Sequence, residues 1–122
     1  MNEFKVLEVW QKSIQLVKKV YLLTRQFPKS EQFGFTSQIR RSTVSIPFNI
    51  AEGHARIGIK EYRHFISIAL GSSAELETQI IIGQELEYID ADDGIEMFES
   101  IQSIRMMLNK LYSSLNRKIN KY

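Results

Sequence analysis

The chain has 122 residues, 43% of them hydrophobic and 25% charged, with a formal net charge of +2. That is the size and make-up of one folded domain over residues 1–122, and it excludes a disordered chain. With no cysteine, disulfides, thiolate zinc sites and cysteine nucleophiles are excluded as well.

No apolar run reads as a bilayer span, and the N-terminus carries no secretory signature, so no membrane partner is expected and the expected location is cytoplasmic. Only two prolines and six glycines interrupt the chain, and the apolar residues follow the 3.6-residue period. The fold class predicted is all-α.

A first helix is predicted from about Glu3 to Gln26, with Leu7, Trp10, Ile14, Val17 and Tyr21 as its core stripe, ended by Phe27-Pro28. A second stripe, Val6, Val9, Leu16, Val20, Leu23 and Phe27, lies beside it. Together they cover about 200°, against the roughly 100° a core-facing helix needs. Two explanations stand: cover by Phe33 and Phe35, or a subunit interface through Val9, Leu16, Val20, Leu23 and Phe27.

The second helix is predicted from near Thr36, as a capping hydroxyl, to Gly53, with Ile39, Ile46 and Ile50 inward and a kink at Pro47. Beside the isoleucines runs a polar seam, Gln38, Ser42, Ser45, Asn49 and Glu52, either satisfied between helices or binding a ligand. The third helix, about Ile59 to Glu87, carries Tyr62, Phe65, Ile66, Ala69, Ser73, Leu76 and Ile80, with Glu61 supplying half a capping box. Its Gly71-Ser-Ser-Ala74 stretch suits close approach of two helices. Asp90 or Asp92 caps a fourth helix reaching about Arg117, with Phe98, Ile101, Ile104, Leu108, Leu111, Leu115 and Ile119 as its stripe. Short connections between long helices give an antiparallel up-down-up-down four-helix bundle.

Charge is segregated. Nine acids and no lysine or arginine lie between Phe65 and Ile104, and five cations and no acid from Arg105 to the end. One pole is expected to be acidic and the other basic, collecting Lys5, Arg56, Lys60, Arg63, Arg117, Lys118 and Lys121. Such a field suits phosphates or a complementary subunit. Glu61-Tyr-Arg-His64 matches half of a dinuclear carboxylate motif but lacks its second half, so no metal, cofactor or catalytic residue is predicted, and the chain is not expected to be an enzyme.

The run Gln38-Ile-Arg-Arg-Ser-Thr-Val-Ser-Ile-Pro-Phe-Asn-Ile-Ala-Glu-Gly53, with Val9-Trp-Gln-Lys12, Phe27-Pro28 and Glu31, Arg56, and Gly71-Ser72 with Glu75, resembles the bacterial four-helix bundle family. Some of its members are the S23-type proteins encoded in intervening sequences of large-subunit ribosomal RNA genes. The resemblance spans residues 4 to about 115. It implies a homopentamer like the accessory proteins of diversity-generating retroelements, which engage nucleic acid and a nucleic-acid-handling protein through a basic surface. The function expected is a non-enzymatic homo-oligomer associated with structured RNA. The alternative is a protein-interaction scaffold that does not bind nucleic acid. Arg40, Arg41, Arg56, Lys60 and Arg63 are the expected phosphate contacts, with Arg117, Lys118 and Lys121 assisting. Arg40 and Arg41 are equally suited to bridging subunits through carboxylates.

Overall fold

The computed structural model describes residues 3–120. Four α-helices make the fold: α1 Glu8–Thr24, α2 Phe35–Ala55, α3 Ile59–Glu85 and α4 Ala91–Asn120. Two short 3-10 turns, Phe4–Val6 and Lys29–Glu31, precede α1 and α2. Each helix packs on its neighbour in sequence and α4 closes back on α1. Paired residues fix the antiparallel sense. Gly53 near the end of α2 meets Tyr62 near the start of α3, Arg63 meets Asn116 across α3 and α4, and Lys19 meets Glu96 across α1 and α4. At 27 and 30 residues, α3 and α4 are about 40 and 45 Å long.

Ile39, Ile46, Ile50, Ile66, Leu76, Ile80 and Leu108 are fully buried where the four helices meet. α3 is long and apolar enough by composition to span a membrane; in the bundle it packs against both α2 and α4, and an apolar face on two sides is what that position requires.

On α1 the two stripes exchange roles. Val9, Leu16, Val20, Leu23 and Phe27, expected as an oligomer interface, are between 0% and 7% exposed and belong to the core. Ser13 continues their line, fully buried and donating to the Trp10 carbonyl at 2.7 Å. A hydroxyl satisfied in this way packs like a small apolar group, and the sequence pattern scored it as polar. The stripe expected in the core turns toward the α1–α2 groove instead, leaving Ile14 and Tyr21 at the surface and Trp10 and Val17 half-buried. Trp and Tyr suit that position, with an apolar body against protein and a polar edge in water.

Two local expectations also change. α2 starts at Phe35 with Gly34 at its N-cap, so Thr36 sits in the first turn and caps nothing. The helix is continuous through the buried Pro47, where the kink was expected. Gly71 is exposed, and a Cβ there would meet nothing within 4 Å; between α2 and α3 the glycine at a close approach is Gly53, where a Cβ would lie 2.8 Å from Phe65 Cβ and 3.0 Å from Tyr62 Cδ1. Asp90 caps α4 as expected, its Oδ1 accepting from the Asp93 amide at 2.8 Å.

Candidate nucleic-acid interface

Between Val9 and Ala51 the sequence has seven lysines and arginines and one acid, Glu31. Between Glu52 and Ile104 it has eleven acids and three cations. The bundle places the first stretch in α1 and α2 and most of the second in α3 and the front of α4. The charge therefore divides across the bundle as well as along it. Lys12, Lys18, Arg25, Lys29 and Arg41 are exposed on the cationic side. Sequence reasoning passed over all of these except Arg41, because it weighed acid-rich runs and not the near-absence of acid in the first half.

The expected phosphate contacts do not form one cluster. Arg40 is half-buried and binds its own chain: Nε donates to Thr24 Oγ1 at 2.8 Å, a terminal nitrogen reaches the Tyr21 carbonyl at 3.4 Å, and the guanidinium lies 4.5 Å over the Tyr21 ring. Arg41 is exposed one residue further on. At the opposite pole Arg56 is held by Glu52 at 3.5 Å and Glu61 at 3.8 Å and stacks on Phe65. Arg63 donates to Asn116 at 2.6 Å. Lys60, Arg117 and Lys118 are exposed at that pole, and Lys121 lies outside the described residues. Among the expected contacts described there, the cations with their charge most available are thus Lys60, Lys118 and Arg117.

The polar seam is bonded between or within helices. Ser45 and Ser72 hydroxyls are 2.8 Å apart, Asn49 donates to the Ser45 carbonyl and hydroxyl, and Ser42 bonds back to the Gln38 carbonyl. Gln38 is exposed, and Glu52 pairs with Arg56. Of its two readings, these bonds match the structural one, since no group in the line is left buried and unpaired. Among the described residues no three acidic or histidine side chains converge on a possible metal position.

Near the turn into α4, Asp93 is shifted upward from the usual carboxylate range by partial burial and by the charges of Asp90, Glu96 and Asp92. Tyr88 is shifted upward by its hydrogen bond to Glu31, with burial and the charge of Glu31 adding to it.

Exposed apolar groups flank the cationic side. Phe48 is 69% exposed and Phe33 is 92% exposed. Phe35, by contrast, opens α2 and stacks on Phe27 just past the end of α1, with centroids 5.8 Å apart, so of the two phenylalanines only Phe35 is packed there. The exposure of Phe33 has no signal in the sequence, since its aromatic neighbours Phe27 and Phe35 are buried and partly buried.

The structure resembles the crystal structure of a protein of unknown function from the S23 ribosomal protein family of Bacteroides thetaiotaomicron. The TM-score is 0.77 at 25% identity, over 85% of this chain and 97% of that one. Among curated proteins none matches the sequence. The family model described as 23S rRNA-intervening sequence protein matches residues 5–110. With nearly the whole bundle matched, the chain belongs to the 23S rRNA-intervening sequence protein family.

Proposed function

We propose that the protein is a non-catalytic, self-assembling bundle, a homopentamer by its resemblance to retroelement accessory proteins, that associates with structured RNA through phosphate contacts. The observation that carries the reading is the division of charge. A net charge of only +2 conceals an α1–α2 side with seven cations and one acid between Val9 and Ala51, and a cationic face of that kind attracts a polyanion from a distance. Exposed Lys18, Arg25, Lys29 and Arg41 on that side, with Lys60, Arg117 and Lys118 at the pole, position RNA without reading its sequence. The apolar strip in the α1–α2 groove supports self-assembly, because exposed patches of this kind on soluble proteins mark contact surfaces.

A labelled RNA hairpin titrated at about 50 and 200 mM salt tests the RNA reading: affinity should fall at least a hundredfold between the two if several phosphates are neutralised. Absence of binding at the lower salt would sink that reading in favour of a protein scaffold. A sedimenting mass of one subunit at micromolar concentration would sink assembly.

A further inference from the structure

α3 carries more apolar surface than its packing uses. Of an 18-residue apolar stretch along it, 39% is buried, and Ile81, Ile82 and Leu86 are exposed around its C-terminal end. Glu85 stands among them, in a last turn that has no basic residue, although the partial negative charge of a helix C-terminus favours a cation. Among the described residues no cation pairs with Glu75 or Glu85.

The counterpart lies on another side of the bundle. A hollow of about 470 Å³ between α1 and α2 is walled by Tyr21, Phe33 and Val44, with Arg40 and Arg41 beside them. Arg40 is committed to Thr24 and Tyr21, whereas Arg41 is exposed and pairs with no carboxylate among the described residues. The hollow and the α3 corner stand at one level. Phe27 packs on both Phe35 and Tyr88, and Tyr88 donates to Glu31 at 2.9 Å, which sets the α1–α2 turn beside the α3–α4 turn. Subunits related by rotation about an axis along the helices keep their heights, so a closed ring needs two mating patches at one level on different sides.

We infer that the Ile82-to-Leu86 corner of α3 docks in the α1–α2 hollow of a second copy of this chain, its apolar side chains against Phe33 and Tyr21 and Glu85 toward Arg41. The occupant is a second copy because the free carboxylates and the free guanidinium are both on this chain and are held apart within it. Like patches do not pair: two corners would oppose Glu85 with Glu85, and two hollows Arg41 with Arg41. Apolar burial supplies the affinity, and the charges set which face meets which. The inference rests on the self-assembly proposed above and not on the RNA reading. Lys18, Arg25 and Lys29 are outside the hollow, and the five donors of a guanidinium let Arg41 meet a carboxylate and a phosphate together.

The test is the sedimenting mass of the full chain carrying Phe33→Asp in the hollow or Ile82→Lys in the corner. Glu85→Lys, at an exposed position, replaces the second variant should Ile82→Lys melt well below the unaltered protein. Each variant alone is expected to lose assembly and sediment as one subunit. Mixed in equal amounts, the hollow and corner variants are expected to form a complex of two subunits, because one intact corner and one intact hollow remain between them. If the unaltered protein assembles and either variant keeps its mass, or the mixture stays at one subunit, the docking is wrong and self-assembly by another face stands. If the unaltered protein is itself a single subunit, both readings fall together.

Discussion

The guanidinium of Arg40 lies 4.5 Å over the ring of Tyr21 and, through Thr24 Oγ1 at 2.8 Å, ties the second helix to the end of the first. Its terminal nitrogen also approaches the Tyr21 carbonyl, one of the acceptors a helix end leaves without an intrahelical donor. Arg40 is thus a fastening between α1 and α2, while its neighbour Arg41 remains exposed. Arg40→Ala should lower unfolding stability by about 1–2 kcal/mol, the range for a partly exposed charged hydrogen bond with a cation–π contact. Arg41→Ala should change it by less than about 0.5 kcal/mol. Urea denaturation of the two variants checks the contrast.

The glycines at 53 and 71 make opposite predictions. Gly53 faces Phe65 and Tyr62 across the α2–α3 contact, and a Cβ there would sit inside contact distance of α3. Gly53→Ala should destabilise by about 1–3 kcal/mol. Gly71 has open space around it in the middle of α3, so Gly71→Ala should stabilise by about 1 kcal/mol. Thermal melts of both variants give the two signs directly.

The turn between α3 and α4 holds Glu87 at φ 62°, the left-handed conformation that closes the helix, with the Tyr88 amide bonded back to the Gly83 carbonyl at 2.8 Å. A side chain there carries a strain that glycine lacks. Glu87→Gly should stabilise by about 0.5–1 kcal/mol after the extra backbone entropy of glycine is set against it. Its urea midpoint should lie above that of the unaltered protein.

Asp93 gives a pH signature. Its carboxyl is raised in the folded protein, first by burial and then by the neighbouring acids, so the folded state holds this proton more tightly than the unfolded state does. Stability from this group is therefore greatest at low pH and falls as pH rises through the carboxylate range. Asp93→Asn should be more stable than the unaltered chain at pH 7 and lose that advantage in acid, where Asp93 is neutral. Urea midpoints at neutral and acidic pH check it.

The helices were legible in the sequence because four strong 3.6-residue stripes were separated by Phe27-Pro28, Gly58 and an Asp-rich turn. Ile39, Ile46, Ile50, Leu76, Ile80 and Leu108 are buried where periodicity put them. The inward face of α1 was not legible, since two apolar stripes competed and a buried serine decided between them. The candidate site was legible only in its residue types. That Arg40 is bound to its own chain, that Arg56 is held by two carboxylates and that Phe33 stands in water depend on contacts between residues far apart in sequence or on the course of a short turn.

The most direct test of the central claim is the salt dependence of RNA-hairpin affinity for the chain and for its Lys18→Gln, Arg41→Gln double variant. If the α1–α2 side holds phosphates, the slope of log affinity against log salt should become shallower by about 1–2 units, roughly one for each phosphate no longer neutralised. A slope unchanged by removing both cations would contradict the assignment of RNA to that side.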